Sequence, residues 1–249
     1  MYQDFAEIYD RLMDDVDYRA WADYYKRLLA ANGVHEGKVC ECACGTGSLT
    51  IPLYKSGFFV TGVDISREML WQAAQKSRAQ GITIPFVQQN MKALNLHKPM
   101  DAVLATCDGL NYLLTEEELR SFFRAAYRSI RAGGVLAFDI STPYKLHNVL
   151  CASMICEDRD DITYMWQTRW HDQTSTVSMD LCFFVKESDG RYHRIDEHQK
   201  QRAWAKEQIC DMLLETGFSS ISVYSNTSFE KPKTNDMRWH FAAIRTSEQ

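Results

Sequence analysis

Between Lys38 and Ile140 the chain alternates short apolar runs with longer stretches of helical periodicity, and this rhythm constrains the fold more than any other feature. "KVCEC" (38–42), "FFVTGVDI" (58–65), "ITIPFVQQ" (82–89), "MDAVLATC" (100–107) and "GGVLAFDI" (133–140) read as strands. Helices are expected over 47–55, 66–80 and 115–131, the second capped by Ser66 with Glu68 in its first turn. Parallel strands need crossover connections, and the helices that supply them cover both faces of the sheet. The expected core is therefore an α/β, doubly wound, Rossmann-like sheet, mostly parallel with an antiparallel last strand.

The rhythm breaks after Pro143. "ITYMWQTRWH" (162–171), "TSTVSMDLCFFVKE" (174–187) and "RYHRIDEHQKQRAW" (191–204) read as three long antiparallel strands, the last two joined at Ser188-Asp189-Gly190. The first places Ile162, Tyr164, Trp166 and Trp170 on one face, and the second Val177, Met179, Leu181, Phe183 and Val185. These apolar faces are expected to be covered by the edge of the core. The third has no fully apolar face: Tyr192, Arg194, Asp196, His198, Lys200 and Arg202 share one side, which is expected to line a polar cavity. The α/β pattern resumes with a helix over 205–216, a turn at Gly217 and strands at 219–225 and 239–245. Before Lys38, Phe5, Ile8, Tyr9, Leu12 and Met13, then Tyr18, Trp21, Tyr25 and Leu28, recur at helical spacing. One domain over 1–249 follows, with N-terminal helices over 1–31, a core over 32–142 and 205–249, and an antiparallel insertion over 143–204.

A net charge of −5 gives no global attraction to phosphate polymers, so nucleic acid is not the favoured partner. No apolar run reaches the length of a membrane span. The acidic N-terminus lacks a basic n-region, and the eight cysteines are irregularly placed, which points to reduced thiols in a cytoplasmic protein. The oligomeric state is not legible.

The stretch "ECACGTGSLT" (41–50) admits a metal site, a nucleotide loop or plain core. Cys40, Cys42 and Cys44 alternate on one strand, whereas zinc sites pair cysteines at two distant places; no second cluster exists and no metal is expected. Gly45 and Gly47 permit a tight turn and close approach of backbone to a ligand. Asp64, at the end of the next strand, is placed to accept hydrogen bonds from two ribose hydroxyls. The third glycine of the dinucleotide fingerprint is replaced by Thr50, which disfavours a pyrophosphate and with it a nicotinamide-dependent oxidoreductase. A nucleoside ligand without phosphates remains.

These residues resemble the class I S-adenosylmethionine-dependent methyltransferases. "VCECACGTGSL" resembles their first motif, "VTGVDIS" the second, "FVQQNMKAL" the segment that holds adenine, and "DAVLATCDGLNYL" the fourth strand with its loop. "IRAGGVLAFDIS" resembles the fifth strand after its double glycine, and "LLETGFSSISVY" the late helix–strand signature. "FAEIYDRLMDDVDYRAW" is similar to the N-terminal helices of a bacterial subgroup with a three-strand insertion. The chain departs from the pattern at Ala43, where glycine is frequent, and at Asn90, where aspartate is frequent.

The resemblance implies S-adenosyl-L-methionine as cofactor and a small-molecule acceptor. It places the cofactor on the loop of Ala43, Cys44, Gly45 and Gly47 and against Met69. Glu41 either meets its ammonium group or fixes the glycine turn. Asp64 takes the ribose, Ile65 and Met91 sandwich the adenine, and Asn90 reads the adenine edge. Cys107 offers a carbonyl to the methionine part. Tyr9, Tyr18 and Trp21 close over it as a lid, or pack as core. Asp108, Asn111 and Tyr112 face the transferred methyl or the acceptor. A general base, where one is needed, is sought among His198, Asp139, His147 and Tyr112, with His198 favoured because its pKa lies near neutrality. The insertion is expected to cap the acceptor site. A nucleic-acid methyltransferase and a non-catalytic cofactor-binding module are the alternatives.

Overall fold

The computed structural model describes residues 2–152 and 154–246. Two helices, α1 (Tyr2–Leu12) and α2 (Tyr18–Ala31), precede β1 (Lys38–Cys42), α3 (Thr50–Lys55), β2 (Phe59–Asp64), α4 (Arg67–Ala79) and β3 (Phe86–Gln88). Next come β4 (Met100–Ala105), α5 (Glu116–Ser129) and β5 (Ile130–Ser141). After the insertion, α6 (Lys206–Thr216), β10 (Phe218–Ser225) and β11 (Arg238–Arg245) complete the core. The seven strands run in the order β10-β11-β5-β4-β1-β2-β3. β11 is antiparallel to both its neighbours, and the other pairs are parallel. The chain winds outward from β1 in one direction and then, from β4, in the other. The reversal between β1 and β4 leaves a crevice at the carboxyl ends of the strands, where open α/β sheets bind ligands.

Strand alternation fills both faces. Cys40, Cys42, Val103, Leu136 and Phe138 pack toward α5 and α6, against Phe122, Phe123 and Leu213. Val39, Leu104, Val135 and Ala137 pack toward α2, against Tyr24, Tyr25, Leu28 and Leu29. Cys40 and Cys42 are fully buried, so they are core residues. Each buried phenylalanine or leucine contributes about 1.5–3 kcal/mol relative to exposure.

Three boundaries differ from expectation. The helix after the glycine loop begins at Thr50, because Gly45 (φ +54°) and Gly47 (φ +73°) hold left-handed turns that no helix continues. β3 covers only Phe86–Gln88, since Pro85 has no N–H to donate to a ladder. β5 starts at Ile130, before its double glycine.

The insertion is a second sheet of four antiparallel strands, β6 (Ile155–Asp158), β7 (Ile162–His171), β8 (Thr176–Lys186) and β9 (Tyr192–Arg202), in that order. β6 was not expected; at four residues it is too short to show a period. Most of the polar face of β9 turns to water, although His198 and Lys200 still border the cavity at that crevice. Ile195, Glu197 and Gln201 are buried, while Tyr192, Arg194, Asp196, His198 and Lys200 are exposed. Register decides this, because Ile195 sits opposite the buried Phe183 and so turns the charged set to water. The cover of the apolar faces differs as well. Phe5, Ala6 and Ile8 of α1, with Met69 of α4, pack on Ile162, Phe183 and Ile195. Leu146 packs on Val177 and Met179 at the other end.

Candidate cofactor and acceptor site

A cavity of about 530 Å³ opens at the reversal of strand order. Its floor is the loop after β1. Cys44 N donates to Val63 O at 3.1 Å, and Gly45 N donates to Asp64 Oδ2 at 2.8 Å. Asp64 Oδ1 also accepts from Ser66 N at 2.9 Å, so the carboxylate holds the glycine loop and the start of α4 in one frame. Burial raises the Asp64 carboxyl above its ordinary value, against the pull of those backbone N–H donors. Ala43 lines the floor in a left-handed conformation (φ +53°). Gly47 does not line the cavity. A Cβ there would come within 3.0 Å of Ala73 Cβ, so this glycine serves the contact between loop and α4.

Glu41 lies beneath the loop, 1% exposed. It accepts hydrogen bonds from Thr50 Oγ1 at 2.5 Å and Thr106 Oγ1 at 3.0 Å. Burial pushes its carboxyl up to about 7 despite those two hydroxyls. At the other end of the floor, Ile65, Asn90 and Met91 border the cavity. Ile65 is 65% exposed at the border of the cavity. Asn90 Oδ1 accepts from Lys92 N at 3.0 Å and so caps the single turn Met91–Ala93.

The wall after β4 is built on strained backbone. Cys107 (φ +55°) and Asp108 (φ +66°) are both left-handed. Asp139 holds them there, accepting from Cys107 N at 2.8 Å and Asp108 N at 3.1 Å. Arg238 pairs with both carboxylates, and Tyr25 Oη donates to Asp139 Oδ1 at 2.9 Å. Cys107 and Tyr112 line the cavity, but Asp108 does not. The left-handed turn swings Asp108 back toward β5 and β11, where it accepts from Ser141 Oγ at 2.8 Å. Asn111, also expected at the methyl, is fully buried and bonds Ser141 and the carbonyl of Arg202. His147 packs against Trp170 at a tilt of 34°, with ring centroids 4.7 Å apart, and does not line the cavity.

Tyr9 and Tyr18 border the cavity together with Met69. Trp21 does not; it is half-buried on α2, its ring 5.7 Å from that of His240 and under Arg238, and packs against the core. From the insertion, Glu197, His198, Gln199 and Lys200 border the mouth, and Tyr112 Oη donates to Gln199 Oε1 at 2.8 Å. The His198 side chain is 71% exposed and its Nδ1 lies 2.6 Å from Asp180 Oδ1 on the outer face.

Two carboxylates thus face the floor, and among the described residues neither pairs with Lys or Arg. The bordering Lys92 is paired with Glu118 at 2.6 Å. Such a floor repels phosphates and suits a phosphate-free nucleoside that carries positive charge, which is the chemistry of S-adenosyl-L-methionine.

Comparison with known proteins agrees. A methyltransferase-domain family model matches residues 39–134. A protein of Geobacillus sp. strain WCH70 that carries the provisional name of methyltransferase is 36% identical over 243 residues, 97% of this chain and 98% of its own. The crystal structure of an S-adenosylmethionine-dependent methyltransferase from Clostridium acetobutylicum superposes with a TM-score of 0.89 at 31% identity, covering 99% of each chain. The chain belongs to the class I S-adenosylmethionine-dependent methyltransferases. The fold is shared more widely still: the sugar N-methyltransferase KedS8 from Streptoalloteichus superposes with a TM-score of 0.76 at 21% identity, over 96% of this chain and 93% of its own.

Three parts of this methyltransferase's site were not legible in the sequence. Asp10 of α1 accepts from Thr46 Oγ1 at 2.5 Å and Ser48 Oγ at 3.0 Å and pairs with Lys76, which ties α1 to the glycine loop. Arg238 supports the wall after β4 from 130 positions away. Glu197 was hidden by its charged neighbours. The one signal for it was Ile195, whose apolar side chain marks the inward face of β9.

Proposed function

We propose that this enzyme methylates a small molecule held between the carboxyl edge of the core and the inserted sheet, with residues 143–204 serving as its cap. The observation that carries this is the enclosure of one cavity by α1, the glycine loop, the wall after β4 and strand β9 together. A polymer substrate calls instead for an open basic groove, whereas this cavity is lined by four carboxylates, Glu41, Asp64, Glu118 and Glu197, against two lysines, Lys92 and Lys200, the first of them paired with Glu118. The sugar N-methyltransferase among the similar structures is compatible with a small acceptor.

S-adenosyl-L-methionine supplies an activated methyl group on a sulfonium; the protein's part is to bind, align and exclude water. In this reading Asp64 accepts from the ribose hydroxyls and Glu41 balances the ammonium charge through the loop. Asn90 and the Met91 amide read the adenine edge, between Ile65 and Met91. The Cys107 carbonyl meets the methionine part, held in place by the strained turn. Tyr9 and Tyr18 close from the N-terminal helices, and Tyr112 faces the acceptor side. Calorimetry with S-adenosylhomocysteine, repeated with NAD, tests the floor. Binding of NAD in preference would overturn the assignment of the ligand.

A further inference from the structure

Four carboxylates border the cavity, and three are satisfied by the protein. Glu41 has two hydroxyls, Asp64 two backbone N–H groups, and Glu118 has Lys92 and the N–H groups of Leu114 and Thr115. The fourth is Glu197. It is 4% exposed, lies on the inward face of β9 opposite Leu181, and makes no hydrogen bond or ion pair among the described residues. Leaving a buried carboxylate unpaired costs several kcal/mol, so structural use alone does not account for it. Burial raises its carboxyl above the ordinary range.

The surroundings narrow what it meets. Phe5 and Tyr9 of α1 and Tyr112 of the wall after β4 border the same space. His198 and the N-terminal amine draw on its charge without a hydrogen bond or ion pair to it. A carboxylate without a hydrogen-bond partner, in a space that aromatic rings border, is a receptor for an ammonium group, which it attracts by charge and the rings by their faces. A neutral alcohol leaves the buried charge uncompensated, and an anionic acceptor is repelled. His198, next along the strand, points to the opposite face, where Asp180 holds it.

We infer that the acceptor carries a basic nitrogen and that Glu197 is the residue that binds it and takes its proton. This rests on the small-molecule reading above and deepens it. The acceptor enters as an ammonium ion. One N–H bond breaks and one O–H bond forms on Glu197, leaving a neutral carboxyl and an amine whose lone pair is free to attack. The titratable and charged groups around this exchange are the N-terminal amine, Tyr9 from α1, Tyr112 and the Lys92–Glu118 pair from the core, and His198 and Lys200 on β9 itself.

The test uses the full chain saturated with S-adenosylhomocysteine and two matched pairs of probes, cyclohexylammonium with cyclohexanol and glucosamine with glucose. Calorimetry on the wild type should show the ammonium member of at least one pair binding about tenfold tighter than its neutral partner, a difference of about 1.4 kcal/mol. In Glu197→Gln that preference should fall below about threefold while S-adenosylhomocysteine affinity stays within about threefold. No preference in either wild-type pair, or a preference that survives in Glu197→Gln, overturns the inference. A loss of S-adenosylhomocysteine affinity in Glu197→Gln also overturns it, since Glu197 would then belong to the cofactor's half. A wild type that binds no S-adenosylhomocysteine overturns the functional reading and this inference together. Should Glu197→Gln not fold, titration of the wild type decides: the ammonium preference must fade as pH drops and Glu197 takes up a proton from solvent, and a preference that persists at low pH sinks the idea.

Discussion

Thr50 Oγ1 donates to Glu41 Oε2 across 2.5 Å. Thr50 occupies the position where a dinucleotide-binding loop carries its third glycine, so the residue that removes a pyrophosphate site also serves a buried acid. With Thr106 on its other oxygen, Glu41 is bonded but still dominated by burial, and its carboxyl stands at about 7.

That displacement has a stability consequence with a definite sign. The folded pKa of Glu41 lies above its ordinary value of 4.5, so the unfolded chain ionises first. The stability contributed by the protonated form is complete below 4.5 and is lost as pH rises through about 7. At about 1.4 kcal/mol per pKa unit, the ionised residue costs on the order of 3 kcal/mol at pH 8. Glu41→Gln should therefore be more stable than the wild type at pH 8 and similar near pH 4, measured by urea unfolding. The same variant should bind S-adenosylhomocysteine at least about tenfold more weakly, from the loss of a buried charge opposite an ammonium group. A variant destabilised at pH 8 would assign Glu41 to fixing the turn.

Asp64→Ala should weaken S-adenosylhomocysteine binding by about tenfold or more. Each hydrogen bond to a charged group is worth about 1.5–3 kcal/mol before water compensates. The carboxylate also frames Gly45 and Ser66, so part of the loss comes from a loosened loop. Asp64→Asn separates the two: it keeps one acceptor for the frame and removes the charge. Unchanged affinity in both, read by calorimetry, would take Asp64 out of the site.

Asn90→Asp should leave cofactor affinity equal or improve it. The cap on Lys92 N survives, because aspartate accepts that bond as well as asparagine. The second oxygen gains a charge-assisted bond to the adenine amino group. A folded variant with strongly reduced affinity would mean that Asn90 acts there as a donor, with adenine in another orientation.

The core was readable in the sequence because β1, β4 and β5 are buried over most of their length in largely apolar runs, and parallel strands buried on both faces leave few other ways to fold. The floor was readable for the same reason: Gly45 and Asp64 sit at fixed ends of two adjacent strands. The insertion was readable as strands, but not which residues of β9 face inward. Facing is a parity question in a strand, and on β9 the charged parity is conspicuous while the inward one holds Glu197, Gln199 and Gln201. Asp108 misled for a local reason. Nothing in "TCDGLNY" announces two successive left-handed residues, and those turn its carboxylate away from the cavity. Asp139, which accepts from both their N–H groups, is paired in turn with Arg238 of the last strand, which has no local signature.

Arg238 is the residue on which that wall depends most. It is the shared cation of Asp108 and Asp139, it lies 5.0 Å from the Trp21 ring centroid, and Lys145 reaches only Asp108, at 3.8 Å. Removing it leaves two carboxylates buried side by side, a change that costs about 3–5 kcal/mol in comparable buried pairs. Burial by itself would raise the Asp108 carboxyl, but the charges of Arg238 and Lys145 outweigh it and hold the group below its ordinary 3.8. A lowered folded pKa stabilises the protein above 3.8 and loses that stabilisation as pH falls toward the folded value. Arg238→Leu should thus be destabilised most at neutral pH, and its deficit against the wild type should narrow as pH falls below about 4. Because Asp139 also holds the N–H groups of Cys107 and Asp108, the same variant should lose S-adenosylhomocysteine affinity even at temperatures where it remains folded. Arg238→Lys should recover part of the stability and less of the affinity, since an ammonium lacks the second guanidinium nitrogen, Nη2, that donates to Asp108 Oδ2 at 3.2 Å. A deficit independent of pH, measured by urea unfolding between pH 3 and pH 8, would show that Arg238 acts through packing on Trp21 and not through its charge.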